Sequence, residues 1–165
     1  MPISSKEDTM TTTATAISAW PLVRQGDRQH PVKTLQYLLG AHGHNLTVDG
    51  IFGARTDAAV RAFQREDSLT VDGIVGPNTW SALIITVRRG NQGDAVRGVQ
   101  EEFEFRNLSG QPGHGLPIDG IFGPRTEAAV RGFQQALHRD IPSVTVDGIV
   151  GPVTWRALVS GMLSL

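Results

Sequence analysis

No cysteine occurs among the 165 residues. That excludes disulfide frameworks, thiolate zinc sites and thiol nucleophiles. Lysine is almost missing too, with Lys6 and Lys33 against thirteen arginines, and nothing functional follows from that bias. No apolar run approaches the roughly 20 residues a bilayer-spanning helix needs, so membrane insertion is not expected. Excess charge of either sign is lacking as well. Fifteen basic and sixteen acidic residues leave a formal net charge of −1, and the two halves are equally balanced. A nucleic-acid module or an acidic tail would show itself in that balance. The stretch Met1–Ala19 is polar and Thr/Ser-rich, without the apolar block of a secretory signal. It reads as a disordered segment over 1–19, and it leaves the export route open.

What the chain does have is repetition. Thr47–Gln64 (TVDGIFGARTDAAVRAFQ) returns as Pro117–Gln134 (PIDGIFGPRTEAAVRGFQ), 70 positions on. Thr70–Leu83 (TVDGIVGPNTWSAL) returns as Thr145–Leu158 (TVDGIVGPVTWRAL), 75 positions on. Upstream, Gly26–Gln36 matches Gly90–Gln100 at an offset of 64. The growing offset places insertions in the second copy, at Asn107–Gly115 and His138–Val144, where surface loops would absorb them. Two homologous units follow, over 20–85 and 86–165, behind the segment 1–19.

Inside each unit the phrase D-G-I-x-G-x-x-T occurs twice, beginning at Asp49, Asp72, Asp119 and Asp147. Its Gly-Pro (Gly-Ala at Ala54) suits a helix start, because proline loses nothing in the first helical position. The Asp-Gly pairs Asp49-Gly50, Asp72-Gly73, Asp119-Gly120 and Asp147-Gly148 therefore read as structural loops. Their carboxylates are expected to cap the first turn or bond the loop itself, with at most a short ribbon of strand pairing. Apolar residues at helical spacing predict three helices per unit, over about 31–41, 54–66 and 77–84 in the first. Trp80 and Trp155 fall on the inward face with Leu83 and Leu158. The expected fold is all-α: two small three-helix domains with Asp-Gly loops at the helix starts.

These phrases, in order V-x-x-L-Q, V-D-G-I-F-G-x-R-T-x-A-A-V-R-x-F-Q and V-D-G-I-V-G-P-x-T-W-x-A-L, resemble the three-helix peptidoglycan-binding domain of bacterial wall hydrolases and phage endolysins. The resemblance covers about Leu22–Leu83 and Val87–Leu158. It implies non-catalytic attachment to peptidoglycan, a place in the cell wall or outside the cell, and no cofactor or metal. Two further readings stay open. One is a structural or protein-interaction component of a phage tail or secretion particle. The other is the wall-targeting part of a hydrolase whose catalytic part is a separate chain.

Candidate chemistry inside the repeats is weak. None of the five histidines recurs between units, and His42-Gly43-His44 has no third ligand nearby. Glu101, Glu102 and Glu104 read as a solvated helix face rather than an acid–base pair. For wall contact, arginine forks suit peptide carboxylates. Arg55 and Arg125 in the first turn of the second helix, with Arg61 and Arg131 further along, recur in both units. Tyr37, with Gln36 and Gln100, completes the expected ligand-binding set. The four glutamines Gln36, Gln64, Gln100 and Gln134 hold matched helix positions and suit either a groove or buried backbone.

Overall fold

A computed structural model describes residues 16–108 and 116–164, and among these all regular elements are helices. They are α1 Val32–Ala41, α2 Ala54–Glu66, α3 Pro77–Leu83, α4 Asp94–Leu108, α5 Pro124–Asp140 and α6 Pro152–Val159. The first three belong to one repeat and the last three to the other. Most of the expected disordered segment lies outside the described residues. Its end, 16–19, differs from the expectation: Ile17 packs on the core, and its carbonyl accepts a 3.5 Å bond from Arg156 Nη2 of α6.

Each helix after an Asp-Gly loop starts as its sequence dictates. Gly53, Gly76, Gly123 and Gly151 are extended N-caps without a side-chain cap bond. Proline takes the first position in three of the four. Every helix buries one stripe, such as Val32, Leu35, Leu38 and Leu39 on α1. Trp80 and Trp155 are fully enclosed. Their indole N–H groups donate to the carbonyls of Pro21 and Ile85, at 2.9 and 2.8 Å. The segment entering each unit is thus tied to that unit's third helix. A single antiparallel bridge does the same beside it, Val23 with Val75 and Val87 with Val150. The short ribbon therefore joins the entering segment to the second loop, rather than flanking one loop on both sides. Part of each insertion is helical: α5 runs on to Asp140 where α2 stops at Glu66. Residues 109–115 of the other insertion lie outside the described residues.

The two units meet through α1 and α4. Gly98 sits at the crossing, and a Cβ there would touch Trp155, Thr34 and Tyr37 at 3.4–3.7 Å. One turn on, Glu102 is wholly buried, which corrects the expectation of a solvated face for this residue. Its carboxylate accepts from His30 Nε2 at 2.8 Å, Thr34 Oγ1 at 2.7 Å and Arg106 Nη1 at 2.9 Å. Burial works to raise its pKa, but His30, Arg106 and Thr34 outweigh that and hold it below the usual carboxylate value. Arg106 is itself fully buried and donates to the carbonyls of Glu102, Leu158 and Met162. It also lies 4.9 Å from the Phe133 ring centroid. A buried charge pair survives only when its remaining donors and acceptors are met, and here they are.

Candidate functional site

The Asp-Gly loops have one geometry, repeated four times. A buried glutamine from the preceding helix reaches into each loop and grips it. Gln64 Nε2 donates to Asp72 Oδ1 at 3.0 Å, the Ile74 carbonyl at 3.1 Å and Thr79 Oγ1 at 3.1 Å. Its Oε1 accepts from the backbone N–H groups of Asp72 and Gly73. Gln36 does the same to Asp49-Gly50 and Gln134 to Asp147-Gly148, and Gln100 grips Asp119-Gly120 with its Oε1 accepting from the Gly120 N–H. In every copy the Asp Oδ1 also accepts from the N–H of the isoleucine two residues on, at 2.9–3.0 Å. The carboxylates therefore fold the loop and cap no helix, which decides between the two expected roles. The pKa values of Asp49, Asp72 and Asp119 are pulled down accordingly. For Asp49 the main cause is the Gln36 bond, and for Asp72 and Asp119 it is the backbone N–H of Ile74 and Ile121.

The glycine of each pair has φ between +73° and +76°, a left-handed turn that L side chains resist. A basic side chain three residues before each glutamine lies across that glycine: Lys33 at Gly50, Arg61 at Gly73, Arg97 at Gly120 and Arg131 at Gly148. Arg61 is also paired with Asp57 at 3.0 Å, and Arg131 with Glu127 at 3.6 Å. The sequence signal for these covers, a basic residue at glutamine minus three in all four helices, was legible but unused.

The structure thus separates the expected ligand-binding residues. Gln36 and Gln100 are buried, with both ends of their amides occupied by the loops. Tyr37 is half-buried where α1 meets α4. Burial and the nearby Glu101 carboxylate raise its pKa, with Arg97 opposing. Arg61 and Arg131 serve the loops. Arg55, Arg125 and Arg131 are exposed, but of these only Arg55 and Arg125 make no hydrogen bond or ion pair among the described residues. They stand in the first turns of α2 and α5, after Ile51 and Ile121, which are 41% and 52% exposed. The histidine pair is split between partners: His42 Nε2 contacts the Leu83 carbonyl, and His44 Nε2 contacts Glu66, each at 2.8 Å.

The two units also carry matched grooves along their second loops. One runs from Leu69 to Thr79, of about 260 Å³, and the other from Val144 to Thr154, of about 210 Å³.

The chain belongs to the family of peptidoglycan-binding domains, which it matches twice, over residues 28–83 and 92–158. It is 42% identical over 82 residues to the zinc D-Ala-D-Ala carboxypeptidase of Streptomyces albus G, covering 48% of this chain and 27% of that protein. A crystal structure of a peptidoglycan-binding protein from Clostridioides difficile shares 40% identity over 41% of this chain and 42% of its own, with a TM-score of 0.39. The Burkholderia AP3 phage endolysin shares 34% identity over 56% of this chain and 36% of its own, with a TM-score of 0.38. The chain spans about a quarter of the carboxypeptidase and less than half of either crystallised chain. No helix among the described residues is long and apolar enough to cross a membrane.

Proposed function

We propose that the chain attaches to cell-wall peptidoglycan without cleaving it, through both units, with Arg55 and Arg125 as matched contacts to peptide carboxylates. The observation that carries this reading is the pair of unpaired, exposed guanidinium groups at the same place in both units. Glutamine, aspartate, glycine and tryptophan recur because the fold uses them. Arg55 and Arg125 recur and the fold does not use them. A guanidinium fork suits a carboxylate bidentately, and the helix start adds positive potential behind it. Ile51 and Ile121 offer apolar surface on the same loops. In support of binding without cleavage, Glu102 is held in a closed buried network and the four Asp carboxylates are held in their loops. Such a chain works in the cell wall or outside the cell.

The test is sedimentation with purified sacculi, with turbidity followed in parallel. Wild type should pellet with the walls and leave turbidity unchanged, with or without zinc. Two tethered contacts act through effective concentration, so Arg55→Ala/Arg125→Ala should lose far more retention than either single variant. Retention should fall with added salt. A double variant that pellets like wild type at low and high salt would refute the arginine assignment. Soluble muropeptides released by the pure protein would refute non-catalytic binding. A second reading, recruitment of a separate wall hydrolase, draws on the carboxypeptidase and endolysin among the similar proteins.

A further inference from the structure

Where the units meet, a concave pocket of about 210 Å³ opens beside the start of α1. One wall comes from the first unit, with Arg28, Lys33 and Asp49, and the other from α4, with Glu101 and Phe105. It exists only because the two repeats pack together. At roughly 30 Å³ per water, the space equals about seven waters. That is below the usual range for drug-sized ligands and right for one amino-acid residue.

The lining is a two-signed set of unspent charges. Among the described residues, the side chains of Arg28, Lys33 and Glu101 make no hydrogen bond and no ion pair. Glu101 is half-buried, and its pKa is raised chiefly by burial, with Lys33 pulling the other way. A half-buried carboxylate without a donor gains from a cation brought to it. The Phe105 ring is fixed by stacking on His30 at 3.9 Å between centroids. His30 is in turn held by the buried Glu102, so the apolar floor is positioned before any ligand arrives.

We propose that this junction pocket binds the end of a peptide that carries both a free carboxylate and a side-chain ammonium. The carboxylate meets Arg28 and Lys33, the ammonium meets Glu101 with Asp49 behind it, and the aliphatic chain lies on Phe105. That the peptide belongs to the cell wall rests on the function proposed above. The pocket's chemistry does not.

Calorimetric titration of the full chain with N-acetyl-alanyl-lysine at low salt tests it. Two blocked probes run beside it, the C-terminal amide and the Nε-acetyl derivative. Each block should weaken binding about tenfold or more, the scale of one charge-assisted contact. Glu101→Gln should bind the free and Nε-acetylated probes alike. Arg28→Ala/Lys33→Ala should bind the acid and the amide alike. Circular dichroism checks that the variants keep their helices, and the blocked probes test the wild type without any variant. No saturable heat from the free dipeptide, or equal binding of free and blocked probes, overturns the pocket. Because Arg55 and Arg125 lie outside it, loss of dipeptide binding with intact sacculus retention would sink this inference alone.

Discussion

Replacing Gln64 by alanine tests the device on which each small unit depends. The amide makes five hydrogen bonds into the loop, two of them fully buried, to Thr79 Oγ1 and from the Gly73 N–H. A buried bond is worth about 1–1.5 kcal/mol, and a half-exposed one about half as much. Against this stands about 1.5–2 kcal/mol of side-chain entropy that glutamine forfeits on folding. The net expectation is a loss of about 2–3 kcal/mol, large against a total stability of about 5–15 kcal/mol. Urea unfolding followed by circular dichroism should show a lower midpoint with an unchanged slope. Asp72→Ala in the same background should add less than its separate effect, because Asp72 loses its Gln64 partner in either case. A loss below about 1 kcal/mol, or full additivity with Asp72→Ala, would refute the account of the glutamine as a latch.

Other outcomes follow from the same geometry. Gly73→Ala forces a left-handed residue, φ +73°, and places a Cβ 2.7 Å from Arg61 Nη2 and Asp57 Oδ1. It should cost about 1–2 kcal/mol in a urea melt. Gly123→Ala, at φ −103° with nothing within 4 Å of its Cβ, meets no strain and should cost less, about 0.5–1 kcal/mol from the poorer alanine N-cap. Asp49, Asp72 and Asp119 have folded pKa values below the ordinary aspartate value of 3.8. Their stabilisation is therefore complete above that value and is lost as pH falls through the lower folded values. A triple Asp→Asn variant, whose Oδ1 atoms still accept, should flatten the acid limb of a melting-temperature profile. Glu102→Gln leaves Arg106 charged and uncompensated in the interior and should cost about 3–5 kcal/mol, seen as an early thermal unfolding. A stability near wild type would mean that water reaches Arg106.

The helices were legible because their signals are local. Apolar spacing and the repeated Gly-x start set α2 at Ala54–Glu66 with no adjustment, and apolar spacing sets α1 and α3 within a residue. The inward tryptophans followed from the same periodicity. What sequence reasoning left open were contacts between elements. The four glutamines stand at one helix position, but their distances to the gripped aspartate differ: 13 residues for Gln36, 8 for Gln64 and 19 for Gln100. No fixed-spacing motif connects them, because the chain between helix and loop varies freely while the fold holds both ends. Asp as a helix cap was a reasonable expectation from position alone. The Asx geometry differs from it by two residues of reach, which spacing does not resolve.

Glu102 marks the deeper limit. By the 64-residue offset it stands where the first unit has Leu38, a fully buried core residue. One helix read alone offers two accounts of a charge there, a solvated face or a break in the core. The structure supplies a third, a face covered by the other repeat. Thr34 answers from α1 and His30 from just before it, while the second unit's own equivalents are Gly98 and Asp94. The repeats therefore differ at these residues, where they touch. This division has a consequence for binding. With α1 and α4 committed to each other, Tyr37 and both glutamines of those helices face inward. The surfaces left to a large, fixed polymer in both units are those of α2, α3, α5 and α6, and the first turns of α2 and α5 hold the only matched arginines of the expected set with no internal work to do.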